Sequence, residues 1–378
     1  MIINNLMVYR EDHQFHPGSI YIQGDKIAAE PGVNEAVIDG KGAYAIPGLT
    51  DIHFHGCVGY DFCDGTQEAI AAIANYEALQ GVTQICPATM TLPEEVLAKV
   101  CKEAAAYENE EGATLCGINL EGPYLSIAKK GAQNEAFLHK PDAEMFSRLN
   151  NLSGGMIKLV ALAPEEEGAM AFIDTVKADT IISIAHTTAD YGTAMEAFAR
   201  GASHVTHLYN AMPPFTHRAP GVIGAAADTN NCHVELICDG IHIEPAVIRA
   251  TFKLFGADKI ILISDSMMAT GIQDGEYSLG GQAVSVIGNK ATLEDGTIAG
   301  SVTNLMNCVR TAIKMGIPFE TAVKCATENP AREIGIYDSY GSLEAGKTAN
   351  LVLLNNDLST KAVFLKGKCL KEYQKNIV

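Results

Sequence analysis

The chain has 378 residues, with 27 Lys and Arg against 45 Asp and Glu and a formal charge of −18. Its 47% hydrophobic and 19% charged residues suit a globular protein with a large core and exclude a disordered or fibrous chain. The acidic balance argues against nucleic acid, whose binders need a basic patch to displace counterions, and against anionic membrane surfaces.

A small anion is not excluded, because one pocket can be locally positive inside an acidic protein. Ten cysteines are scattered without a CxxC pair, several inside apolar runs such as VTQICPAT and VELICDG. That usage predicts buried, reduced thiols in a reducing compartment. The start, MIINNLMVYREDHQF, lacks the basic and apolar regions of a signal peptide, and no window approaches the length of a membrane span. The expectation is a soluble, cytoplasmic protein.

The first 47 residues read as short strands, INNLMVY, SIYIQG, DKIAAE and NEAVIDGKGAYAI, with turns expected at Pro17-Gly18 and Pro31-Gly32. From Gly48 the texture alternates. TDIHFHG precedes the Ala-rich helix TQEAIAAIANYEALQ, which should end at Gly81. VTQICPAT, TLCGINLE, MIKLVALAPE, TIISIAH, ASHVTH, HVELICDG and KIILISDS follow, with helix-like segments between them. About eight βα repeats of this kind predict an α/β fold with a closed (β/α)8 TIM-like barrel, an open doubly wound sheet being the runner-up. No GxGxxG follows an early strand to support a dinucleotide fold.

A hairpin-like insertion, EYSLGGQAVSVIGNKATLEDGTIAG, follows the last barrel strand, with a turn at Asp295-Gly296. The tail returns to strand texture in NLVLLN and KAVFLKGK. The expected organisation is a small, discontinuous β-sandwich domain from residues 1–47 and 345–378, flanking a hydrolase barrel at 48–344.

Side chains alternate along a strand, so His53 and His55 of DIHFHG point the same way. Such a pair suits a borderline cation such as zinc, but an isolated HxH is a weak motif. Its company strengthens it. Glu121, His186, His207, His242 and Asp265 each fall at the C-terminal end of a separate strand-like run, and those ends converge on one face of a barrel. His13, His16, His139, His217, His233 and His204 fall elsewhere and read as structural or solvated. Lys158 sits near the start of its strand, the wrong end for a metal bridge.

Taken in order, IPGLTDIHFHG, NLEGPYLS, AHTTAD, THLYNAMPPFTHRAPG, CDGIHI, SDSM, IAGS and GSLEAGKTANLVLL resemble the N-acetylglucosamine-6-phosphate deacetylase family of the amidohydrolase superfamily. The resemblance covers essentially the whole chain. HxH and GSLEAGK are common to the superfamily, whereas EGPY with KGAQN, THLYNAM with HRAPG, and CDGIH are specific to the deacetylases. It implies a metal held by Glu121, His186 and His207, a second at His53 and His55, and Asp265 as general acid/base. It implies substrate contacts from Ala132, Gln133, Asn210, Ala211, Arg218, His242, Ile298, Ala299 and Gly300. The cofactor is then one or two divalent ions per subunit, zinc first, with iron, manganese or cobalt as alternatives. The implied partner is a small amino-sugar phosphate, and the implied assembly is a homodimer that completes the phosphate site. The chain departs from the family pattern at Gln133, where many members have His, at Ala185, and at Pro214 and Phe215.

The implied reaction removes the acetyl group of N-acetylglucosamine 6-phosphate. A divalent ion makes hydroxide available near neutrality, while Asp265 takes the water's proton and returns it to the leaving amine. Arg218 offers a planar donor fork to phosphate, and His242 an imidazolium. Two other readings remain: a related amidohydrolase, such as one for N-acetylgalactosamine 6-phosphate, and a non-catalytic sugar-phosphate sensor.

Overall fold

The computed structural model describes residues 1–108 and 111–370. Both ends of the chain contribute to one eight-stranded sheet. Its order runs Lys368–Cys369, Thr360–Leu365, Leu351–Leu354, Tyr44–Pro47, Ile2–Tyr9, Phe15–Gln23 and Lys26–Ala28, with Val37–Asp39 also paired to Ile2–Tyr9. The tail joins the head directly, with Val352 opposite Ile46. Ile3, Leu6 and Val8 all face the sheet's own core, although strict alternation would put Ile3 and Leu6 on opposite faces. A register shift between them reconciles the two, with Asn5 at φ 54°, a conformation Asn tolerates better than most residues.

One expected turn is corrected. Pro17 and Gly18 lie inside the strand Phe15–Gln23, opposite Met7 and Leu6. The third strand pairs only with Tyr21, Ile22 and Gln23, so Pro17 stands where its missing N–H faces no ladder. The chain reverses earlier instead, with His13 at φ 57° and its N–H donating to the Arg10 carbonyl.

The central part is parallel sheet covered by helices. Leu49–Asp51, Val82–Ile85 and Thr114–Leu115 form one three-stranded sheet. Ile118–Leu120, Ile157–Leu162, Ile181–Ile184, Ala202–Val205, His233–Ile237 and Ile260–Ile263 form a six-stranded one. These strands are almost wholly buried, as expected of parallel sheet covered on its faces. A parallel bridge between Ala88 and Asn119 links the two sheets on one side. On the other, the Asp265 N–H donates to the His53 carbonyl at 2.9 Å, and the His55 N–H to the Ser266 carbonyl at 2.7 Å.

Each parallel strand except Thr114–Leu115, which runs straight on to Ile118–Leu120, is followed by a helix. The first, Gln67–Leu79, is capped by Thr66 and stopped by Gly81 at φ 90°, the expected C-terminal residue. Seven more follow: Glu94–Ala105, Ala143–Leu152, Ala169–Val176, Tyr191–Arg200, Gly221–Asp228, Pro245–Phe255 and Leu305–Lys314. Before the last comes the insertion, a three-stranded antiparallel sheet of Gly275–Leu279, Gln282–Ile287 and Lys290–Thr292. The chain turns back at Asp295-Gly296, as expected, bringing Ile298 opposite Thr292. No helix among the described residues is long and apolar enough to cross a membrane, and all ten cysteines are unpaired.

Candidate metal centre and substrate pocket

Glu121 follows the strand Ile118–Leu120 directly, while His53, His186, His207 and Asp265 each lie two residues past a strand end. Three of these take positive φ: His186 at 41°, His207 at 28° and Asp265 at 51°. That left-handed turn costs each about 1–3 kcal/mol and persists only where the surroundings enforce it.

Two donor clusters result. Glu121 Oε1 stands 3.1 Å from His186 Nε2 and 3.2 Å from His207 Nε2, and the two nitrogens are 3.1 Å apart. In the second, Asp265 Oδ1 lies 3.4 Å from His55 Nε2 and 3.7 Å from His53 Nε2. The other oxygen of Glu121 faces this group at the same two distances, 3.4 Å and 3.7 Å. One carboxylate therefore spans both clusters.

The donor set fits divalent cations. Ligands around a tetrahedral zinc stand roughly 3.3–3.6 Å apart, close to the spacings found. His53 Nε2 is fully buried, faces two carboxylates and has no hydrogen-bond partner, which is costly unless an electrophile occupies the space between.

The surroundings hold these rings in place. His53 Nδ1 is 2.8 Å from Glu235, and His186 Nδ1 donates to the Lys129 carbonyl at 2.8 Å, so each ring's Nε2 is turned to the centre. Gln133 accepts from the Thr91 N–H at 2.7 Å and donates to Glu121 Oε2 at 2.8 Å. Burial favours a neutral Asp265, but the hydrogen bond from His55 and the nearby histidine charges outweigh it and hold the carboxyl below its usual range.

The clusters open into a cavity of about 470 Å³. His55, Glu121, His186, His207, His242, Asp265, Ala132, Gln133, Asn210, Ala211, Ile298 and Gly300 line it. His53 lies fully buried outside the lining, and Ala299 is buried next to Gly300. Arg218 is exposed and does not reach the cavity within this chain. Lys158 is not among the residues that line the cavity. His13, His16 and His233 instead pair with Glu328, Asp12 and Glu333.

Sequence reasoning missed Glu235, Asp239 and the Lys129 carbonyl. Glu235 had a visible signal, an acid within the apolar run HVELIC, where an unpaired carboxylate is costly. Asp239 accepts from its neighbour His242 Nδ1 at 2.7 Å. The carbonyl had no signal, since nothing in a side-chain pattern marks it.

Residues 44–370 match the amidohydrolase family. The chain is 35% identical over 381 residues to an N-acetylglucosamine-6-phosphate deacetylase of Bacillus subtilis (strain 168), covering 97% of this chain and 96% of that one. It is 31% identical over 362 residues to an N-acetylgalactosamine-6-phosphate deacetylase of Escherichia coli O157:H7, covering 95% and 94%. Among solved structures, an N-acetyl-D-glucosamine-6-phosphate deacetylase mutant from Mycobacterium smegmatis, in complex with N-acetyl-D-glucosamine-6-phosphate, superposes with a TM-score of 0.90. Identity there is 31%, and the match covers 98% of both chains. The parallel sheets, the His/Asp/Glu clusters at their strand ends and the length of these matches make the chain a member of the amidohydrolase family.

Proposed function

We propose that the protein hydrolyses N-acetylglucosamine 6-phosphate to glucosamine 6-phosphate and acetate. The observation that carries this reading is one pocket into which residues of both metal-ligand clusters, Asp265 among them, open together. Glu121, His186 and His207 would hold one divalent ion, and His53, His55 and Asp265 a second shared through Glu121. Zinc suits these nitrogen and oxygen donors first, then iron, manganese or cobalt. Such ions polarise a carbonyl and bring the pKa of a water toward neutrality.

The Asp265 carboxylate accepts the proton of the attacking water as the C–O bond to the acetyl carbon forms. The same carboxyl delivers that proton to the sugar nitrogen as the C–N bond breaks. Gln133 orients Glu121 through one N–H, leaving its other N–H as a donor toward the acetyl oxygen. Ala132, Asn210, Ala211 and the Ile298–Gly300 segment shape the sugar site, and His242 binds the phosphate.

Arg218 joins His242 at the phosphate only from another subunit in this reading, which supports a homodimer. The two parallel sheets close as a (β/α)8 barrel over residues 48–344. The sheet from residues 1–47 and 345–370 makes a sandwich-like second domain, supported by its separate apolar core; residues 371–378, assigned to the same domain, lie outside the described residues. The ten unpaired thiols support a cytosolic location.

The galacto epimer is a second reading, favoured by the E. coli relative. The intact ligand set speaks against a mere sensor. Acetate release from both 6-phosphate epimers and the unphosphorylated sugar, before and after chelation, tests all three. No release from any of them with metal restored sinks the enzyme reading. Asp265→Asn should abolish turnover while the chain still takes up metal at Glu121, His186 and His207, and near-normal turnover would remove Asp265 from its role.

A further inference from the structure

Behind the pocket, acids and imidazoles alternate in a line toward the opposite ends of the strands. Glu235 Oε2 meets His53 Nδ1 at 2.8 Å and accepts the backbone N–H of His207 at 2.9 Å. Its other oxygen lies 3.1 Å from His204 Nε2. His204 Nδ1 meets Glu333 at 2.8 Å, and Glu333 meets His233 Nδ1 at 2.6 Å. Glu235 and His204 are wholly buried, whereas the His233 side chain is 34% exposed.

A carboxylate in an apolar strand needs a compensating charge. Glu235 finds it in His204, which is itself held between two carboxylates. Burial works against charge on His204, yet its contacts with Glu235 and Glu333 outweigh burial and push its pKa up to about 9. The 3.1 Å contact is not aligned as a hydrogen bond, so His204 acts on Glu235 mainly through charge and packing. Side-chain contact with Glu235 is made by His53, while His207 offers only its backbone.

We propose that His204, backed by Glu333, is a positioning residue that holds Glu235 against His53 and so sets the affinity of one metal position, that of His53, His55 and Asp265. The inference rests on the ligand assignment proposed above. Partners behind a metal-ligating histidine typically change affinity about 10- to 100-fold when removed. The effect here should be unequal, because Glu235 meets the ligand ring itself at His53 but only the backbone N–H at His207.

Zinc titration of the metal-stripped full chain against a chelating dye, with metal content after dialysis, reads both positions. Wild type should bind two ions. His204→Gln should weaken one of them about 10-fold or more and leave the other unchanged. Glu333→Gln, which keeps the His204 ring in place, should weaken the same ion by less, and it serves if His204→Gln does not fold. Melting in excess chelator reports the fold separately. Wild type that binds no zinc overturns the ligand assignment itself. Wild type that binds only one ion overturns the positioning role. So do variants with two unchanged affinities and a lower melting temperature, or with both affinities lowered equally.

Discussion

His242 shows how a neighbour three residues away tunes a single side chain. Burial works against its charge, but the hydrogen bond to Asp239, with the charges of Asp239 and Asp265, outweighs burial and raises its pKa. A raised histidine keeps its charge through its ordinary range and loses it as pH climbs through the raised value. If His242 grips phosphate as an imidazolium, KM should be low near pH 6.5 and rise on the alkaline side. Asp239→Asn should move that rise to lower pH. KM measured against pH for both forms checks this, and superimposable profiles would take Asp239 out of the phosphate site. His242 was legible in CDGIH because it follows a strand. What Asp239 does there was not, because only the loop's fold brings Oδ2 onto the ring.

At the scale of elements, the parallel strands carry the site's geometry and also a buried charge line. His204 sits in Ala202–Val205, Glu235 in His233–Ile237 and Glu333 in the helix Glu328–Glu333. Burial opposes ionisation of Glu333, but hydrogen bonds and charges from His204 and His233 outweigh it and lower its pKa to about 2. Glu333 thus stabilises the fold above its ordinary range and loses that contribution as pH falls toward 2. His204 contributes below its ordinary range and loses its share as pH rises through about 9. Removing one member of a buried pair costs about 3–5 kcal/mol. Glu333→Ala should show a loss of that order at pH 6 in metal-free denaturant titrations. A loss within the error of the fit would mean that the line adds nothing to stability. The alternation of strand and helix was readable from apolar periodicity and Gly stops, as at Gly81. The strand containing Pro17 was not, because an edge position depends on which strand lies alongside.

For the whole molecule, the exposed Arg218 poses a question of assembly. In the dimeric reading it serves the partner's pocket. Arg218→Ala and Asp265→Asn chains, each nearly inactive alone, should then recover activity when mixed under exchange. Random pairing leaves one working site in half the dimers, about a quarter of wild-type activity. No recovery, with mixed dimers shown by mass, would place Arg218 in its own subunit's site or in none. The residue types and their positions after apolar runs were set by sequence alone; His53 and His55 were expected on one strand face, but the strand ends at Asp51 and both lie just beyond it. The positions after apolar runs follow from local rules, periodicity and the cost of burying charge. Only the tertiary structure decided that Glu121 spans both clusters, that Gln133 and Glu235 hold the donors from behind, and that Arg218 stands apart. Such relations join strands distant in the chain by contacts of about 3 Å, and no local pattern encodes a distance.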